Sequence, residues 1–115
     1  MRKYLYFLDI LVVIIFVAIG RHAHKHGETL AGLCSTAWPF LVGCVVGMAL
    51  LAFRKAPYAT LRSGAVQTIV TVTIGMVLRV CAGQGTAVAF IIEALCFLGL
   101  GFSLSRLALR NKRSA

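Results

Sequence analysis

Four apolar stretches, each close to the length of a membrane-crossing helix, leave this chain few folds to choose from. They run from Tyr4 to Gly20, Leu33 to Phe53, Ser63 to Ala82 and Thr86 to Leu107. A spanning helix needs about 20 mostly apolar residues. Backbone amides in lipid must find partners within their own segment, which favours helices over any open sheet. The sequence therefore predicts an all-α, integral membrane four-helix bundle, a single domain over residues 1–115 with helices at about 4–20, 33–53, 63–82 and 86–107. The first stretch is the shortest and contains Asp9. Gly83-Gln84-Gly85 leaves room only for a tight turn, so the third and fourth helices form an antiparallel hairpin. Ala56-Pro57 interrupts the chain between the second and third, because proline and its predecessor both resist helical continuation.

Composition agrees with that architecture. Hydrophobic residues make up 60% of the chain and charged residues 13%, about half the charge of an ordinary globular protein. A net charge of +9 invites a nucleic-acid reading, but the basic residues lie between and outside the apolar runs. Nucleic-acid binders gather theirs on one face, so no nucleic-acid partner is expected and the bilayer is.

Orientation follows from the same residues. With four crossings, Arg2, Lys3, Arg54, Lys55, Arg62, Arg106, Arg110, Lys112 and Arg113 share one side, and Arg21, Lys25 and Arg79 share the other. Nine against three places both termini in the cytoplasm by the positive-inside rule. Arg2 and Lys3 ahead of an apolar run also resemble a signal peptide. Asp9 at the head of that run, and no convincing A-x-A site after it, favour a retained first helix.

Lipid supplies no hydrophobic drive between helices, so small residues and interhelical hydrogen bonds must hold them together. Gly43 and Gly47 form a GxxxG pair, and Gly99 with Ser103 and Gly101 with Ser105 share that spacing. Gly64, Thr68, Thr71, Gly75 and Arg79 recur on one face of the third helix. That face should meet protein or water. Gly43, Gly47, Gly75 and Gly99 are the expected packing positions.

Ionisable groups within spans are functional candidates by default. Asp9 either pairs with a basic residue at the interface or forms a proton or cation site. Glu93, about two turns inside the fourth helix, is expected to pair structurally with Arg79 across the hairpin, since a matched buried charge is far less costly than a lone one. His22, His24 and His26 alternate in the first outer loop and are metal-ligand or pH-sensor types. Alternation and the flanking Arg21 and Lys25 disfavour a single metal site, so a solvated loop is the simpler reading and no metal is expected. Cys34 and Cys81 fall near outer helix ends, where a disulfide is an open alternative, while Cys44 and Cys96 read as packing residues. No Ser/His/Asp arrangement, phosphate loop or zincin helix is present, so neither an enzyme nor a cofactor is expected.

Asp9, Gly20-Arg21 with His24, Trp38-Pro39-Phe40, Gly75-Met76 with Arg79, Gly83-Gln84-Gly85-Thr86 and Phe90 occur in this order. The series resembles the family called domain of unknown function 3054, small four-helix membrane proteins of actinobacteria and some haloarchaea, over nearly the whole chain. The resemblance implies a bacterial plasma membrane and brings no known activity. His22, His26, Glu93 and the cysteines lie outside the family pattern. It therefore favours Asp9, Arg21, His24 and Arg79 as the polar set, with the last three forming an anion- or carboxylate-binding patch toward the outer face. Two functions follow as expectations: a small transporter acting as an oligomer, or an accessory or assembly subunit held to a partner membrane protein.

Overall fold

The inward and outward faces of the helices are set by residues four apart along the chain. In α1 (Arg2–Ala23), Leu5, Asp9 and Val13 are buried, while Phe7, Leu11, Ile15 and Ile19 face outward. In α4 (Val88–Ser114), Ala94, Leu98, Phe102 and Arg106 form the buried row. Between them lie α2 (Leu30–Phe53) and α3 (Leu61–Cys81). This computed structural model describes residues 2–23, 30–83 and 88–114, and no strand occurs among them.

The four helices form a ring. α2 packs on α3, α3 on α4, and α1 closes the circle against α2 and α4; among the described residues the backbones approach closely only between these neighbours, and across the ring Phe40 of α2 meets Phe90 of α4 at 5.8 Å. Three segments are long and apolar enough to cross a membrane, Cys34–Phe53, Leu61–Cys81 and Val88–Ala108, and Tyr4–Gly20 of α1 is a shorter apolar helix. The polarity of α3 is inverted relative to a water-soluble helix. Ser63, Gly64, Gln67, Thr68, Thr71 and Gly75 are buried, whereas Ile69, Val77 and Val80 are exposed. An outward apolar face around a polar seam suits a lipid surround, where small and hydrogen-bonding residues mediate helix contact.

Each helix is longer or slightly displaced relative to the spans read from hydropathy. The largest difference is α4, which continues from Leu107 through the basic C-terminal residues to Ser114. Leu107-Ala108-Leu109-Arg110 contains no helix breaker, and hydropathy marks where apolar character stops, not where a helix stops.

Local chemistry explains the ends. Thr60 caps α3 with a capping box: its hydroxyl accepts from the Ser63 amide at 3.1 Å and the Thr60 amide donates to Ser63 Oγ at 3.4 Å. α2 ends in a Schellman turn, with Ala56 N–H donating to Leu51 O and Lys55 N–H to Ala52 O, both at 3.0 Å. Lys55 takes the left-handed position at φ 56°, and Pro57 follows.

Close approach at four glycines fixes the ring. A Cβ on Gly43 would stand 2.7 Å from the Thr71 carbonyl oxygen, one on Gly75 2.6 Å from Phe40 Cδ1 and one on Gly101 2.5 Å from Val12 Cγ1, while one on Gly47 would overlap Gln67 Oε1. Gly99 is looser, with Thr68 Cγ2 at 3.7 Å. Below Phe40, Phe16 gathers an aromatic cluster with Phe40, Phe90 and Phe97 at centroid distances of 5.8, 5.8 and 5.5 Å. Phe40 and Pro39 are fully buried and Trp38 is 39% exposed.

Candidate functional site: a buried aspartate–arginine cluster

The polar seam of α3 ends in a cluster drawn from every part of the ring. Asp9 is fully buried and Arg106 is 1% exposed. Arg106 Nη1 lies 2.6 Å from Asp9 Oδ1 and Nη2 lies 3.0 Å from Oδ2, a bidentate fork. Its Nε donates to Ser63 Oγ at 3.1 Å, and Nη1 also reaches the Phe102 carbonyl at 3.2 Å. The guanidinium lies over the Tyr58 ring, 4.5 Å from its centroid. Arginine suits this position because its planar fork matches a carboxylate and its face stacks on an aromatic ring.

Tyr58, in the connection between α2 and α3, completes the site. Its hydroxyl donates to Asp9 Oδ2 and accepts from Gln67 Nε2 at 3.3 Å. Gln67 Nε2 also reaches the Cys44 carbonyl at 3.0 Å, tying the cluster to α2. Tyr6 stands edge-on to the Tyr58 ring at 4.7 Å. Burial pushes the Tyr58 phenol well above its ordinary value, and the hydrogen bond to Asp9 and that residue's negative charge push the same way. Ser63 accepts from Arg106, belongs to the α3 capping box and donates within the loop toward the Tyr58 or Thr60 carbonyl. Two buried atoms have no hydrogen-bond partner among the described residues: Gln67 Oε1 and Thr71 Oγ1. Both belong to the seam facing α2.

Chemically this is a compensated charge. The carboxylate is held by three donor atoms, and the cation by carboxylate, hydroxyl, carbonyl and ring. Such a cluster locks α1, α4 and the α2–α3 connection to one another.

The other predicted residues sit elsewhere. Arg79, near the opposite end of α3, lies over the Phe90 ring at 4.7 Å. Glu93 is exposed on α4. Arg21 and His22 fall in the last turn of α1, where side chains lie outside the described residues; His24 and His26 lie outside them altogether. The proposed outer set of Arg21, His24 and Arg79 is thus placed only through Arg79, far along α3 from Ser63 and the Asp9 cluster. Among the described residues no group of three or more metal-ligand types is present. Cys34, Cys81 and Cys96 are exposed free thiols and Cys44 is a buried one.

Arg106 was missed in the sequence, where it reads as one more interfacial cation. The signal was its spacing: Ala94, Leu98, Phe102 and Arg106 are successive steps of four on one helical face. Tyr58 and Gln67 gave no comparable sign, because one lies in a loop and the other is the single amide in an apolar helix.

An inverted helical ring, apolar outside and with a compensated charge pair buried toward one end, has the form of a small helical membrane protein. The family described as protein of unknown function (DUF3054) matches residues 6–109, and this chain belongs to it. No curated protein and no solved structure matches the chain.

Proposed function

We propose that this chain is a multi-pass protein of a bacterial plasma membrane, crossing four times with both termini cytoplasmic, and that it serves transport as an oligomer. The nine-to-three distribution of Lys and Arg supports the orientation. Compensation of Asp9 by Arg106 supports insertion of α1, since it removes the main objection to placing Tyr4–Gly20 in lipid.

The observation that carries the oligomer is Glu93. It lies about 7–8 Å along α4 from Val88, on an outward face shared with Ala89, Ile92, Cys96 and Leu100. A carboxyl side chain turned toward lipid costs several kcal/mol, and a partner helix over that face removes the cost. The interior of one copy is filled by the phenylalanine cluster and the Asp9–Arg106 site, so a solute path would run between copies.

The second reading, an accessory or assembly subunit, draws on the same face. Glu93 fits a cation on a different membrane protein as well as it fits a second copy. Affinity purification from native membranes followed by native mass spectrometry separates the two. A homo-oligomer, with solute or ion flux in liposomes that falls in Glu93→Gln, supports transport; a constant heteromeric partner with no flux overturns it in favour of the subunit.

A further inference from the structure

A cavity of about 470 Å³ opens beside the connection between α2 and α3, outside the Asp9 cluster. One part of its wall is apolar, from Leu50, Leu51 and Val66. The other carries Arg54 and Arg62, both exposed, together with Thr60 and Ser63. No acidic side chain lines it. The Schellman turn and the Thr60 cap set where the two arginines start from, one just past the end of α2 and one in the first turn of α3. The first turn of a 21-residue helix adds the positive end of its dipole.

We propose that this cavity binds the headgroup of an anionic phospholipid of the cytoplasmic leaflet. The two halves of the wall match the two halves of such a molecule. A phosphate fits the arginines and the α3 N-terminus, which favour negative charge in the same place. The upper acyl carbons fit Leu50, Leu51 and Val66, which lie on the membrane-core side of the arginines in sequence and in space. A zwitterionic headgroup brings its own cation to a site that already holds two. Ser63 joins this cavity to the buried cluster, since its hydroxyl receives Arg106 Nε. A lipid seated here therefore braces the loop that carries Tyr58. The inference rests on the membrane orientation proposed above and is independent of the oligomer and of transport.

The test is native mass spectrometry of the full chain released from nanodiscs of phosphatidylglycerol and phosphatidylcholine, with affinities from lipid titration in detergent. Phosphatidylglycerol should stay bound at one per chain while phosphatidylcholine washes away. Arg54→Gln with Arg62→Gln should weaken it on the order of ten- to thirtyfold, given about 1 kcal/mol per basic residue at a lipid surface. Lys112→Gln with Arg113→Gln removes the same charge from the C-terminal end and should leave the affinity within about twofold. Equal losses in both double variants would mean diffuse attraction and overturn the site. Equal retention of the two lipids would overturn it too. Inorganic phosphate or deacylated glycerophosphoglycerol competing at the lipid's own concentration would make the occupant a free phosphate, and sink the lipid. Failure of either kind leaves the oligomer and the flux measurement untouched.

Discussion

Asp9 and Arg106 stand 97 residues apart and meet through two nitrogen–oxygen contacts at 2.6 and 3.0 Å, both side chains withdrawn from the surface. The contact joins the first helix of the ring to the last. It determines how the chain closes and how it should fail.

Removing one member strands the other. Asp9→Asn or Arg106→Leu is expected to destabilise the protein by about 3–5 kcal/mol, the usual cost of leaving a buried charge without its counter-ion. The combined Asp9→Leu and Arg106→Met change should recover most of that loss, because a well-packed apolar pair replaces both ions at once. Arg106→Lys keeps the charge, loses the fork and the ring contact, and should fall between. Thermal unfolding in detergent gives the order. Additive losses in the double variant would mean the two ions do not act as a pair.

Tyr58 gives a pH signature. Its phenol is raised above the ordinary value of 10.0 in the folded protein, first by burial and then by Asp9. Above pH 10 the unfolded chain has therefore lost a proton that the folded one still holds. Stability from this group is complete below the ordinary tyrosine value and declines as pH rises beyond it. In ultraviolet titration of the folded protein to pH 11, wild type and Tyr58→Phe should develop the same phenolate absorbance. An extra tyrosine's worth of signal in the wild type would show Tyr58 ionising normally. The same variant leaves Asp9 and Gln67 each one partner short, and should cost about 1–3 kcal/mol.

The packing glycines should differ among themselves. At Gly43 the obstructing atom is the Thr71 backbone carbonyl, which moves only if α3 moves. At Gly75 it is the Phe40 ring, held in turn by Phe16 and Phe90. Gly43→Ala and Gly75→Ala are expected to cost about 1–3 kcal/mol each as overpacking. Gly99→Ala meets only Thr68 Cγ2 at ordinary contact distance and should be nearly neutral. Melting temperatures of the three variants test the ranking.

Much of this was legible in the residues, and the gaps have physical causes. Hydropathy gives four helices because each must be apolar along its outer face, whatever lies inside. Small residues on α2 and α3 are readable because only close packing gives a reason for glycine in the middle of a helix. Asp9 stood out for its charge in an apolar run, yet its partner did not. Arg106 lies where a topology rule already explains an arginine, and a charge explained that way gives no reason to look for a buried partner. Position along a hairpin suggests which residues of α3 and α4 lie level, but it does not fix rotation about the helix axes. Glu93 turns outward while Arg79 turns toward Phe90.

That outward turn can be read with a residue already in the chain. Cys96 is exposed and lies three residues after Glu93, on the same side of α4. If a second copy covers this face about a two-fold axis that passes beside Cys96, the two Cys96 thiols come close to one another, because residues at the axis of an isologous contact meet their own copies. With Cys34 and Cys81 replaced by serine, mild oxidation of native membranes should yield a covalent dimer through Cys96. The dimer should vanish in Cys96→Ser and weaken in Glu93→Leu if the carboxyl helps hold the contact. Cys44 is buried between helices and should not contribute. Oxidation that gives no dimer, while a cross-link forms between Cys96 and another protein, would place a foreign partner on the face and favour the accessory-subunit reading.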